Sequence, residues 1–221
     1  SYLFISESET VLFVDSAKIT PEVKRHLADA GVKIKEYDDA LRYLSNLRQS
    51  VNVLIDPNTV SDTFAQAIPV KSFAKSPIPL LKGVKNDTQI AGYRKAMERD
   101  GAALVRTFMW VEKMAPTGTI TETDVADKAI EERSKMPLYV SESFGMIAGY
   151  KEHGAIVHYE PEAATAATLH GEGLLLVDTG GQYLDGTTDI TRTVSLGNPT
   201  DDERYHYTLV LKGHLALGRA V

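Results

Sequence analysis

The sequence predicts an α/β chain of the mixed α+β kind, in two parts, and three observations carry that expectation. Strand and helix signals alternate over residues 1 to about 70. An apolar repeat at helical spacing then begins near Asp87. A strand-rich stretch from 138 to 197 follows and ends in a capped helix.

In chain order, Leu3-Phe4-Ile5 and Val11 to Val14 flank the polar run Ser6 to Thr10 and predict a hairpin. Thr20 precedes Pro21 and Glu22, an N-cap followed by proline at the first helical position, and Gly31 supplies the C-cap. A strand over 32–37, a helix over 38–49, a strand over 51–56 and a short helix over 59–67 follow. This part gathers no reactive residues and reads as a scaffold or oligomerisation module. Two prolines in Lys75 to Pro79 suit an extended connector and argue against helix there.

The long helix near Asp87 carries Ile90, Met97, Gly101, Leu104, Phe108 and Val111 on one stripe. Gly101 on that stripe suggests close packing, and Trp110 with the nearby methionines reads as core. The Asn86-Asp87-Thr88 string reads as a helix start rather than a glycan acceptor. Pro116-Thr117-Gly118 ends this helix, and Thr121 to Asp124 cap the next, which runs to about Met136. Thr200 to Glu203 form a capping box for a last helix with Tyr207, Val210, Leu211 and Leu215.

Composition narrows the function. The net charge of -6 and the lack of a Lys/Arg cluster argue against nucleic acid. No run is long enough to span a membrane. With no cysteine, a metal would have to be held by carboxylates, imidazoles or water. The start carries no basic region and no signal peptide, so the cytoplasm is the expected compartment. It also lacks Met at position 1, and Val221 falls inside a helical pattern; both suggest a piece of a longer protein.

The most informative segment is Leu174 to Thr193, LLLVDTGGQYLDGTTDITRT. Asp178 and Asp189 lie eleven residues apart. An apolar run leads into the first and an alternating run leaves the second, so a strand, a turn and a second strand would bring both carboxylates to one pocket. Two hard oxygen donors are half of a site for one or two divalent metals. Asp185-Gly186 reads as turn chemistry. Asp178-Thr179-Gly180 also matches the aspartic-protease signature, and Leu217-Gly218-Arg219 looks like that family's later element. That rival needs a second such loop through dimerisation and an all-β fold, and it leaves Asp189 unexplained.

The whole string resembles the first metal-binding segment of the pita-bread metallopeptidases, the family of methionine aminopeptidase, prolidase and Xaa-Pro aminopeptidase. In Xaa-Pro aminopeptidases a string like Gly154-Ala155-Ile156-Val157-His158-Tyr159 follows a Ser-Phe strand and precedes the metal hairpin. The long helix with Phe108 and Trp110, the Thr121-Glu122 helix and Leu211-Lys212-Gly213-His214 extend the likeness to the three-domain branch. The resemblance implies that residues 1–76 belong to a creatinase/prolidase N-terminal-like middle domain and residues 80–221 to the first portion of a pita-bread peptidase domain.

It further implies metal ligation by Asp178 and Asp189, substrate contact by His158 on a strand, and a supporting hydrogen bond from Thr191 to a ligand carboxylate. The cofactors implied are two divalent ions, Mn(II) in this branch, in a homodimer that removes the first residue of peptides with proline at the second position. A further His and two Glu ligands are expected beyond Val221, so weak or no metal binding and no catalysis are expected of this chain alone. His206 and His214 read as helix surface and His153 as loop. An Xaa-Pro dipeptidase, a creatinase-like hydrolase and a non-catalytic peptide-binding module share the fold and are the alternatives.

Overall fold

The computed structural model describes residues 1–220 and divides into two compact units, Ser1–Val84 and Lys85–Val221. In the first unit, β1 (Tyr2–Ile5) and β2 (Thr10–Phe13) form the predicted hairpin, with Tyr2 opposite Phe13. The helix α1 (Pro21–Asp29) starts where Thr20 caps the Val23 N–H, and Gly31 follows it at φ +71°. The strand β3 (Val32–Lys35) then joins β2 in parallel. After α2 (Asp39–Ser45) come β4 (Val53–Ile55), α3 (Asp62–Ala67) and β5 (Lys71–Phe73), with β5 parallel to β4. Val11, Phe13 and Ala40 form the small core, lined by Phe4, Tyr43 and Phe64.

One expectation fails at the end of this unit. The proline-rich connector is not helix-free, because α4 (Ile78–Gly83) begins inside it. Pro79 falls in the first turn, where a helix needs no N–H from that residue, so the ring is tolerated.

The second unit opens with α5 (Asp87–Met114), whose Asn86 and Gln89 make a reciprocal capping box. Its buried face runs through Ala96, Asp100, Ala103, Leu104, Thr107 and Val111. That differs from the predicted stripe: Ile90 and Met97 are exposed, and a Cβ on Gly101 would meet nothing within 4 Å. The helix turns inward a carboxylate and small residues, which a hydrophobic period does not register. Trp110 packs partly buried against the core, whereas Met109 is exposed.

The helix α6 (Glu122–Ser134) starts with a capping box between Thr121 and Asp124. Next come β6 (Tyr139–Glu142) and β7 (Ile147–Tyr150), a 3-10 turn over Lys151–Ala155 and a strand-free stretch up to β8 (Leu174–Thr179). The strands β9 (Gly181–Tyr183), β10 (Gly186–Thr187) and β11 (Ile190–Ser195) follow, then α7 (Asp201–Arg219). The antiparallel order β11-β8-β7 makes one sheet and β10-β9-β6 another. Leu175 and Val177 of β8 point into a core with Leu104, Val111, Val125, Ala129 and Leu169. None of the residues of α7 is buried, so Leu211, Leu215 and Leu217 stay exposed. No helix among the described residues is long and apolar enough to cross a membrane.

Candidate metal centre

The strand β8 is the middle of its sheet, and its alternation sorts the residues of the hairpin. Leu175, Val177 and Thr179 are buried, while Leu174, Leu176 and Asp178 line the other, half-buried face. Asp178 is flanked by Thr191 across one ladder and Ile147 across the other. Directly opposed residues share a face, at about 4.5–5.5 Å between Cβ atoms. Thr191 is therefore a neighbour of Asp178, although no hydrogen bond from its hydroxyl occurs among the described residues. Asp189 is exposed and sits one residue before β11.

The connection between the carboxylates is more than the expected turn. It forms its own two-stranded ribbon, β9 and β10, which pairs onto β6. Buried Tyr183 anchors it, and Leu184-Asp185 makes its tip. Asp185 does more than turn the chain, since it is ion-paired with Arg99 of α5. At the neck of the hairpin a Cβ on Gly180 would strike the Thr188 carbonyl and, at 2.5 Å, the Ser143 hydroxyl, so only glycine passes there.

Behind the neck lies a polar network absent from the sequence-based expectations. Arg133 of α6 donates from Nε to Asp100 at 2.6 Å and from Nη1 to Thr179 Oγ1 at 2.6 Å. Its Nη1 also meets Glu142. Asp100 accepts from Tyr183 at 3.0 Å and from Thr188 Oγ1 at 2.9 Å. Burial, with Asp100 adding to it, raises the Tyr183 hydroxyl above its ordinary range. Burial together with Glu142 pushes Tyr139 up to about 12. The signal available beforehand was a lone carboxylate on an apolar helix face, between Ala96 and Leu104.

His158 is placed differently from the expected strand. It lies in a turn after the 3-10 segment, exposed, at φ +57°, and makes no hydrogen bond to Asp178 or Asp189 among the described residues. The loop around it is held by Glu122, the first residue of α6, which is fully buried. That carboxylate accepts from the Tyr150 N–H at 2.7 Å, the Ala167 N–H at 2.8 Å and the Tyr159 hydroxyl at 2.8 Å. His153 Nδ1 lies 2.9 Å from it, so His153 is a structural partner and not a plain loop residue. Burial and the Glu122 charge push Tyr159 up to about 12. Among the described residues His206, by contrast, interacts with Asp202 of its own helix and its neighbour Tyr205, and His214 is exposed.

The donor set fits a hard cation in part. Asp178 Oδ1 is buried and has no hydrogen-bond partner, the state of a carboxylate oxygen reserved for an ion. Oxygen ligands suit magnesium, calcium or manganese. Among the described residues no three His, Cys, Asp or Glu side chains gather to hold a metal, so Asp178 and Asp189 would form an incomplete set.

With this geometry in place, the comparisons with known proteins decide the family. Residues 91–221 match metallopeptidase family M24, and residues 1–89 match the creatinase/prolidase N-terminal domain. The chain belongs to metallopeptidase family M24. This M24 chain is 35% identical to Aminopeptidase P2 of Arabidopsis thaliana, over all of the chain and 36% of the relative. It is 39% identical to a probable Xaa-Pro aminopeptidase P of Aspergillus niger, over all of the chain and 38% of the relative. It thus spans little more than a third of the curated relatives it matches.

Among solved structures it resembles an X-prolyl aminopeptidase from Caenorhabditis elegans, described as a cytosolic enzyme with a di-nuclear active site. The TM-score is 0.88 at 33% identity, over 96% of the M24 chain and 36% of that one. An X-Pro aminopeptidase from Thermotoga maritima shares the fold, with a TM-score of 0.75 at 21% identity, over 95% and 58% of the two chains. The mixed α/β architecture is that of a creatinase N-terminal domain and a pita-bread domain. The single-loop aspartic-protease reading falls with this assignment.

Proposed function

We propose that this chain carries the first two metal ligands of an Xaa-Pro aminopeptidase, which removes the N-terminal residue from peptides with proline at the second position. The observation that carries the proposal is Asp178, a carboxylate whose inner oxygen is buried without a partner on the central strand of the hairpin. In this reading residues 1–76 are part of the middle domain and residues 80–221 the first portion of the peptidase domain. The names of the relatives support action on proline-containing peptides, and the cytosolic Caenorhabditis elegans enzyme supports a cytoplasmic location; a homodimer is part of the same reading.

Asp178 and Asp189 would supply part of the ligand set for two divalent ions, Mn(II) by preference for oxygen donors. When bound, such ions lower the pKa of a water nucleophile and polarise the scissile carbonyl. Thr191, beside Asp178 in the ladder, would steady a ligand carboxylate once an ion is held there. His158, presented by the loop tied down through Glu122, donates a hydrogen bond to the substrate where negative charge develops. Among the described residues no further His, Asp or Glu joins these two carboxylates, so in this reading the rest of the ligand set comes from elsewhere in the whole protein.

The test is cleavage of an Xaa-Pro-Pro peptide by the whole gene product with Mn(II), after EDTA, and beside this chain alone. Metal-dependent release of the first residue by the whole protein only is the expected result. No cleavage by either would reject the aminopeptidase reading and favour a peptide-binding role. Cleavage of Xaa-Pro dipeptides alone would make it a dipeptidase.

A further inference from the structure

Thr179 follows Asp178 in sequence and Thr188 precedes Asp189, and both threonines are tied to one buried ion pair. Asp100, Arg133, Thr179 and Thr188 are each no more than 1% exposed. Arg133 spends Nε and Nη2 on Asp100, at 2.6 and 3.3 Å, which leaves Nη1 for Thr179 at 2.6 Å and for Glu142. Asp100 in turn accepts from Thr188 Oγ1, which itself accepts from the Gly181 N–H at 2.8 Å. The Gly181 carbonyl takes the Thr188 N–H at 2.9 Å, and the Thr188 carbonyl takes the Ser143 hydroxyl at 3.0 Å. The links Thr179–Arg133–Asp100–Thr188–Gly181 therefore span the neck of the hairpin from one strand to the other.

We propose that the Asp100–Arg133 pair is a positioning device for the metal carboxylates, acting through the hydroxyls of Thr179 and Thr188. The inference rests on the metallopeptidase reading above. Strand alternation puts Thr179 on the face opposite Asp178, so the pair acts through the backbone and not by touching an ion. A buried ion pair is a poor device for stability alone, since well-packed apolar residues of similar volume often do as well or better. What it supplies here is several directed bonds from one rigid guanidinium, which fix two strands relative to each other. Groups that orient metal ligands are typically worth about 10–100-fold in metal affinity.

The experiment measures Mn(II) binding by electron paramagnetic resonance on the whole gene product, stripped of metal and then titrated with Mn(II) alone. The variants are Thr179→Val/Thr188→Val, which keeps volume and removes both hydroxyls, and Thr179→Ser/Thr188→Ser, which restores them. Hydrogen exchange over residues 178–190 of the metal-free protein provides a second readout. The valine pair is expected to weaken Mn(II) binding by about 10–100-fold, to lose the coupled two-ion signal and to exchange faster over the hairpin. The serine pair is expected to recover all three, and in peptide cleavage kcat is expected to fall more than KM rises. A folded valine pair with wild-type Mn(II) affinity and exchange would overturn the proposal. If the double variant does not fold, Thr179→Val alone carries the comparison, because the Asp100–Thr188–Gly181 arm stays intact. If the wild-type protein takes up no Mn(II), the metallopeptidase reading fails and this proposal with it.

Discussion

Asp178 and Thr191 face each other across the ladder of β8 and β11, and the inner oxygen of Asp178 has no donor. A buried carboxylate oxygen in that state weakens the metal-free protein. Asp178→Asn is expected to raise the stability of the metal-free chain by about 1 kcal/mol while abolishing its share of metal binding. Urea unfolding in EDTA, beside Mn(II) titration of the whole protein, checks both halves. A variant that is less stable without metal would show that the carboxylate is already satisfied.

Two glycines of α5 should respond in opposite directions. A Cβ on Gly92 would run into the Asp185 carbonyl at the tip of the β9–β10 ribbon, whereas one on Gly101 would meet nothing within 4 Å. Gly101→Ala is expected to stabilise by about 0.5–1 kcal/mol through helix propensity. Gly92→Ala is expected to destabilise by about 1–3 kcal/mol through overpacking against backbone. Denaturant midpoints of the two variants decide this.

His158 sits at φ +57° with its side chain exposed, a conformation that glycine adopts freely. His158→Gly should relieve about 1 kcal/mol of backbone strain. If the side chain contacts the substrate, the same change lowers kcat/KM of the whole enzyme by about 100-fold. Higher stability with unchanged turnover would assign His158 to the loop alone.

Glu122 joins the start of α6 to four separate points of the segment from Tyr150 to Ala167. Glu122→Ala strands the buried Tyr150 N–H, the half-buried Ala167 N–H and a tyrosine hydroxyl, and is expected to cost about 3–5 kcal/mol. Hydrogen exchange at Tyr150 and Ala167 is expected to rise with it. Glu122→Gln keeps the shape but loses the charge and one acceptor, so it should fall between the two.

Alkali should loosen the chain through particular phenols. Tyr139 and Tyr159 are each pushed up to about 12 by burial and a neighbouring carboxylate, and Tyr183 is raised in the same way. A phenol whose folded pKa is raised binds its proton more tightly when folded. Its contribution is complete below the ordinary value of 10 and is lost as pH rises through about 12. Tyrosinate absorbance should therefore show a late-titrating group of phenols that coincides with unfolding. Glu142→Gln is expected to move Tyr139 toward earlier titration.

Local signals with a strong mechanism translated well into structure. Thr20-Pro21, Asn86 to Gln89, Thr121 to Asp124 and Thr200 to Glu203 each start a helix, because a side-chain acceptor at the right offset satisfies orphan N–H groups. The apolar run Leu174 to Val177 likewise marks a strand, which the structure makes the central one of its sheet. Long-range polar pairing was invisible. Asp100 and Arg133 are thirty-three residues apart, and neither has a neighbour in sequence that announces the other. The Glu122–His153 contact spans thirty-one residues and hid behind a helix cap that already explained its neighbourhood. The family resemblance puts His158 on a strand, but the side chains of Ile156 and Val157 beside it are exposed and the segment follows a 3-10 turn. The spacing of Asp178 and Asp189 singles them out as a candidate pair, whereas nothing in the sequence points to the Asp100–Arg133 network beside them.

The partnerless oxygen of Asp178 bears on how such a centre would be refilled. That oxygen is buried, and the backbone around it is braced from behind by groups that never meet an ion. An ion arriving there would not need to organise this strand, and one leaving would not collapse it. Oxygen donors of this kind discriminate modestly among manganese, magnesium and calcium. The occupant would follow the supply of ions in the cell, and one protein molecule could exchange its ions during its lifetime without unfolding.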